Sequence, residues 1–228
     1  MPNQYSADNS DSTCSIRSFS TALPSATLGN IQAGVLRTTY RGVLFLKSPF
    51  DVVIYLQLIQ QLRPQTVIEI GTKKGGSALW FADMLSLHGI SPQIISVDIT
   101  LQTEVKDSRI RFLQGDALKL GEVLKDDLLL TLAHPFLVIE DSAHFYETTL
   151  STLEFFDSYL QSGDYIVVED GIVADMLGPQ YAVYESGPNR AVTKFIETRA
   201  NRYTIDTALC DYFGYNYTYN PNGYLKRN

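Results

Sequence analysis

Thr66-Val67-Ile68-Glu69-Ile70 is a short, almost wholly apolar run. It lacks strict polar alternation, the pattern of a strand buried on both faces, and such strands belong to parallel sheets covered by helices. A glycine-containing turn from Gly71 to Ser77 follows, then a helical stretch over 78–87 closed by Gly89. The unit recurs. Gln93–Asp98 reads as a second strand, 110–113 as a short third, and Phe136–Glu140 as a fourth, followed by a helix over 147–160. Tyr165–Val168 reads as a fifth strand, and a helix over 190–199 comes after it. Such alternation predicts an α/β fold: a doubly wound, mostly parallel sheet with helices on both faces.

Ahead of the first strand, Ser48-Pro49-Phe50-Asp51 is a helix start, with Ser48 as N-cap, Pro49 at N1 and Asp51 at N3. That helix stops before Pro64. Near the C-terminus, Tyr203–Ile205 and residues 215–219 are rich in aromatic and β-branched side chains, and Pro221-Asn222-Gly223 is a turn. Residues 1–27 are rich in Ser, Thr, Asn and Asp and are expected to be a flexible tail, or else a lid that orders over a ligand. Residues 28–228 are expected to form the single folded domain.

The formal net charge of −7 disfavours phosphate backbones, so nucleic acid is not an expected partner. Cys14 and Cys210 make neither a disulfide framework nor a zinc pattern, which suits a reducing, cytoplasmic setting. No apolar run is long enough for a membrane span, and the N-terminus has no basic stretch leading into an apolar one. Fourteen tyrosines and eleven phenylalanines are enough to line a ligand pocket or a homo-oligomer interface.

In a sheet of this kind, ligands bind beyond the carboxyl ends of the strands. Acids stand at or just past all five ends: Glu69, Asp98, Asp116, Asp141, and the pair Glu169 and Asp170. The first turn is not the dinucleotide pattern G-x-G-x-x-G. It is Gly71-Thr72-Lys73-Lys74-Gly75-Gly76-Ser77 preceded by Glu69. An acid there crowds a pyrophosphate but suits the ammonium and sulfonium of S-adenosylmethionine (SAM). Asp98 then accepts from ribose hydroxyls, and Asp116, beside Ala117, from the adenine amine. The plainer reading is that the glycines only shape a tight turn.

Asp141, Glu169 and Asp170 form a second constellation. Carboxylates brought to one rim repel one another unless a cation sits between them, and oxygen-only ligands suit a hard ion such as Mg²⁺. Taken singly, each acid also fits a solvated rim or a helix cap. His144, three residues beyond Asp141, is placed to remove a proton from a hydroxyl held by the ion; the alternative is a histidine hydrogen-bonded within the fold. His88 and His134 lie away from this rim and are expected to be structural or solvated.

Taken in order, Lys47-Ser-Pro-Phe-Asp51, Ile68-Glu-Ile-Gly-Thr-Lys-Lys-Gly-Gly-Ser77, Val97-Asp-Ile99, Glu140-Asp-Ser-Ala-His-Phe-Tyr146, Val168-Glu-Asp-Gly171 and Asn220-Pro-Asn-Gly-Tyr-Leu-Lys-Arg227 make a specific set. It resembles the cephalosporin hydroxylase family, SAM-dependent proteins related to macrolide-sugar and rhamnosyl O-methyltransferases. The resemblance spans residues 40–227. It implies a seven-stranded sheet with one reversed strand near the C-terminal hairpin. It also implies Mg²⁺ on Asp141, Glu169 and Asp170, His144 as base, and SAM on the Glu69–Ser77 turn, Asp98 and Asp116. The hydroxylase label does not suit the residues, which offer no iron triad of two histidines and a carboxylate. The expected activity is Mg²⁺-dependent O-methylation of a small-molecule hydroxyl, on a natural product or its sugar. The rival expectations are a non-catalytic SAM-binding partner subunit of another enzyme and an NAD-dependent oxidoreductase.

Overall fold

The computed structural model describes residues 17–91 and 93–228. Its strands are β1 (Thr39–Tyr40), β2 (Val43–Leu44), β3 (Thr66–Ile70), β4 (Gln93–Asp98), β5 (Ile110–Gln114), β6 (Phe136–Glu140), β7 (Tyr165–Val168), β8 (Tyr203–Ile205) and β9 (Tyr224–Arg227). The helices are α1 (Ser25–Val35), α2 (Pro49–Leu62), α3 (Gly76–Leu87), α4 (Asp126–Leu129), α5 (Tyr146–Asp157), α6 (Pro179–Ala182), α7 (Gly187–Arg199) and α8 (Thr207–Cys210). β1 and β2 make a small hairpin; the other seven strands form one sheet in the order β5-β4-β3-β6-β7-β9-β8. All neighbours are parallel except β9, which runs antiparallel to β7 and to β8. The seven-stranded sheet with one reversed strand is therefore as expected.

Every residue of β3, β6 and β7 is buried. Alternate side chains serve opposite faces. Val67, Leu137, Ile139, Tyr165 and Val167 pack under α2 and α3 with Ile54, Tyr55, Leu58 and Phe81. Ile68, Ile70, Val138, Ile166 and Val168 pack on the other face against α5 and α7 through Leu153, Phe156, Val192 and Phe195. Each such fully buried aliphatic or aromatic side chain contributes roughly 1.5–3 kcal/mol, so this double layer dominates the stability.

The start of α2 is built as its sequence predicts. Ser48 is the N-cap, its hydroxyl accepting from the Asp51 amide, and Pro49 opens the helix. The Asp51 carboxylate is 1% exposed and also accepts from the Tyr219 amide and the Tyr224 hydroxyl. It thereby ties α2 to the C-terminal segment.

Two expectations, the extent of the tail and the start of the folded unit, differ from the structure. The tail expected over 1–27 falls in part on residues 1–16, outside the described residues. Residues 17–24 pack on the domain: Arg17 pairs with Asp211 at 2.6 Å, the Thr21 amide donates to Asp175, and Leu23 is buried. α1 starts at Ser25, so the folded unit begins before residue 28. Residues 215–219 are a loop, and the last strand is β9, beyond the Pro221-Asn222 turn. The loop buries Asn216 and Thr218 against Ser18, Ser20 and Asp51 and leaves Tyr215 exposed.

Candidate active site

The strand order reverses between β3 and β6: the chain runs outward from β3 to β4 and β5, then returns to β6 on the other side of β3. A crevice opens at such a switch point. Backbone bonds carry the ladder past the strand ends, from the Gly71 amide to Val97, from Asp141 to Ile70 and from Glu169 to Glu140. The turn after β3 is therefore pressed against the start of the loop after β6. Gly71 has φ +112, and a Cβ on it would lie 1.9 Å from the Asp141 carbonyl oxygen, so no side chain fits there.

A cleft of about 270 Å³ occupies this crevice. One end, beyond β4 and β5, is lined by Asp98, Gly115, Asp116 and Ala117, the other, beyond β6 and β7, by Asp141, Ser142, His144 and Asp170, with Gly71 and Thr72, beyond β3, between them. Asp98 shapes its own end by accepting from the Lys73 amide at 2.8 Å and the Thr100 amide at 3.0 Å. Asp116 caps the short 3-10 turn Ala117–Glu122 by accepting from the Leu118 amide at 2.9 Å. Both residues line the cleft, and both carboxylates keep lone pairs beyond those these bonds use. Gly76 lines the cleft too, where its bare Cα lets the Leu44 carbonyl approach; Gly75, at the N-cap of α3, shapes the turn without lining the cleft.

At the other end three groups converge. Asp141, His144 and Asp170 each offer a ligand atom, all within 4.8 Å of one another. His144 Nε2 is 3.5 Å from Asp170 Oδ2, and His144 Nδ1 is buried without a hydrogen-bond partner. The His144 backbone sits at φ +59, and its ring meets the edge of Tyr184, with centroids 5.6 Å apart. Asp170 also has positive φ, its amide held by the Asn220 side chain at 3.2 Å. Burial pushes the Asp170 carboxyl up to about 6, against the pull of His144, with Asp141 adding to the rise. A carboxyl made reluctant to ionise by burial and a like neighbour is one that a cation would relieve.

Glu69 and Glu169 are placed differently from the expected rim. Both occupy the strand phase that faces α2 and α3, so period-2 alternation turns them down into the fold. Glu69 is fully buried and accepts from Ser77 and, at 2.6 Å, from Ser96. The Ser77 hydroxyl is thus taken, and the Thr72 hydroxyl is paired with Ser96 at 2.7 Å. Burial raises Glu69, opposed by Lys47 and these hydroxyls. Glu169 is 3% exposed, outside the three-group cluster, with Lys47 Nζ at 2.6 Å and the Tyr55 hydroxyl at 2.5 Å. Lys47 also donates to Asp141 at 2.7 Å. Burial alone would lower Lys47, but Asp141 and Glu169 outweigh it, so its pKa is raised and it is a cation.

Residues 33–228 match the family described as Rhamnosyl O-methyltransferase/CmcI. The chain belongs to that family. The rhamnosyl O-methyltransferase of Mycobacterium bovis (strain BCG / Pasteur 1173P2) is 30% identical over 200 residues, 84% of this chain and 79% of that one. The rhamnosyl O-methyltransferase of Mycobacterium leprae (strain TN) is 31% identical over 196 residues, 83% of each. A solved CmcI with Mg and SAM superposes with a TM-score of 0.66 at 27% identity, over 85% of this chain and 77% of that one. The resemblance drawn from the ordered motifs is thus borne out. No helix among the described residues is long and apolar enough to cross a membrane.

Lys47 and Tyr55 escaped assignment from sequence. Lys47 ends an otherwise apolar stretch, Val43 to Leu46, directly before a capped helix. A lone lysine in such a place is a signal for a buried ion pair. Tyr55 carries no such signal, since α2 buries it like any core aromatic residue.

Proposed function

We propose that this O-methyltransferase transfers the methyl group of SAM to a hydroxyl of a sugar or sugar-bearing small molecule, with Mg²⁺ bound beside the acceptor. The observation that carries the reading is the convergence of Asp141, His144 and Asp170 at one end of a cleft whose other end presents Asp98 and Asp116. The names of the rhamnosyl relatives support a sugar hydroxyl, and the solved CmcI with Mg and SAM supports both ligands. Family membership favours an enzyme over a non-catalytic partner subunit, and over an oxidoreductase.

The residues present fit both groups. For SAM, the turn at Gly71 leaves room for close backbone approach, and Asp98 and Asp116 offer acceptors to ribose hydroxyls and an amine. For the ion, two carboxylates at the cleft face, one of them held up in pKa by burial, form a donor set that a hard dication satisfies. Asp141 and Asp170 would hold it. When bound, SAM supplies an activated methyl group, and the ion a Lewis acid that eases loss of a hydroxyl proton.

The chain's own residues do the rest. His144 takes the proton from the acceptor hydroxyl, and Asp170, 3.5 Å from Nε2, stabilises the imidazolium that results. The Asn220 contact to the Asp170 amide and the Gly71–Asp141 contact fix the two carboxylate-bearing loops. Such positioning removes much of the entropic barrier to an in-line transfer. The test is a transfer assay with purified chain, SAM and rhamnosyl-bearing acceptors, read by mass spectrometry. EDTA should stop turnover and Mg²⁺ restore it. Undiminished turnover in excess EDTA would exclude the ion from the reaction.

A further inference from the structure

The wall of the cleft contains a cation of its own. Lys47 Nζ lies 2.7 Å from Asp141 Oδ2 and 2.6 Å from Glu169 Oε2, and its side chain is only 3% exposed. The other oxygen of Glu169 accepts from Tyr55. Each oxygen of Glu169 therefore carries one hydrogen bond while Lys47 stays in place. Asp141 is shared: it pairs with Lys47 and also belongs to the cluster with His144 and Asp170. A second cation entering that cluster meets a carboxylate already partly neutralised, and meets an ammonium beside Glu169.

Resting on the reading of this cluster as a divalent-ion site, we propose that Lys47 is an internal competitor of the ion. Its ammonium holds Asp141 and Glu169 in place without a divalent ion, and it lowers the affinity of the site for one. Two cations sharing a carboxylate repel each other, and the low-dielectric surroundings of a buried ammonium strengthen that repulsion. The same ammonium prevents the buried carboxylates from standing unpaired, a state that is strongly destabilising. Lys47 is thus a positioning residue whose charge trades ion affinity for a preformed site.

The experiment is titration calorimetry of Mn²⁺ and Mg²⁺ into the purified full chain without SAM, with melting curves in EDTA and in saturating Mn²⁺. Lys47→Gln keeps a donor and removes the charge; Lys47→Arg keeps the charge. Lys47→Gln should bind Mn²⁺ at least about tenfold more tightly than wild type, and Lys47→Arg should stay within about threefold. In EDTA, Lys47→Gln should melt below wild type, and Mn²⁺ should raise its melting temperature by more than it raises that of wild type. If Lys47→Gln does not fold in EDTA, recovery of the fold on adding Mn²⁺ supports the proposal and its absence overturns it. Equal or weaker Mn²⁺ binding by Lys47→Gln, or equal tightening by Lys47→Arg, overturns the competitor role alone. Absence of Mn²⁺ binding by folded wild type and folded Lys47→Gln overturns the ion site and the competitor together.

Discussion

Replacing Gly71 with alanine tests how tightly the two central loops are joined. The backbone there has φ +112, a conformation that residues with a side chain rarely adopt, and holding one in it costs about 1–3 kcal/mol. The added Cβ would also lie 1.9 Å from the Asp141 carbonyl oxygen and 2.5 Å from its carbon. These are backbone atoms in the middle of the sheet's crevice, so no flexible side chain can swing away. Overpacking of that kind costs about 1–3 kcal/mol more. The sum, roughly 2–6 kcal/mol, is a large part of the stability of a typical domain. Gly163→Ala is the control, because Gly163 has φ +96 and a Cβ there would meet nothing within 4 Å. Urea unfolding should place Gly71→Ala well below Gly163→Ala, and the difference should measure the overlap alone. If the two variants are equally stable, the Gly71–Asp141 contact does not exist as described.

Three further outcomes follow from the same structure. Asp98→Ala should weaken SAM binding roughly 10–100-fold, the loss of one or two charge-assisted hydrogen bonds; titration calorimetry showing unchanged affinity would remove Asp98 from the site. Arg109 donates to Asp107 and, with burial opposing, holds its carboxyl down to about 2. A depressed carboxylate contributes stability that is complete above its unfolded value near 4 and is lost as pH falls through the folded value. The stability difference between wild type and Arg109→Met should therefore be constant above about pH 4 and shrink between about pH 4 and 2; a difference independent of pH there would show that the pair is not responsible. Finally, Asp170→Asn should lose the Mg²⁺ response of turnover at ordinary metal concentrations, and a normal Mg²⁺ dependence in that variant would exclude Asp170 as a ligand.

The α/β architecture was legible because β3, β6 and β7 are short apolar runs punctuated by glycine turns, and because Ser48-Pro49 marks a helix start on local chemistry alone. Asp98, Asp116, Asp141 and Asp170 were legible as cleft residues because each stands at or within two residues past a strand end. Glu69 and Glu169 were harder to place, since position at a strand end says nothing about which face a side chain takes. Alternation sends both downward, where Ser77 and Ser96 meet one and Lys47 and Tyr55 meet the other. Those partners come from residues 8 to 122 positions away, a distance over which local patterning carries no signal. In the loop over 215–219, Thr218 and Tyr219 are held by Asp51 rather than by a ladder, while Tyr215 is exposed.

Transfer of the acceptor's proton to His144, held among Asp141 and Asp170, is the step on which the proposed catalysis turns. It is tested most directly by measuring kcat and SAM affinity side by side for wild type and His144→Ala at saturating Mg²⁺. Loss of a general base lowers the rate by about 10²–10⁴-fold, and the cleft end that would hold the nucleoside lies at Asp98 and Asp116, beyond β4 and β5, across β3 from the loop after β6 that carries the imidazole. The expected result is a kcat reduced by at least about a hundredfold with SAM affinity within about threefold of wild type. A variant that keeps more than about a tenth of the wild-type kcat, with chemistry rate-limiting, would contradict that role.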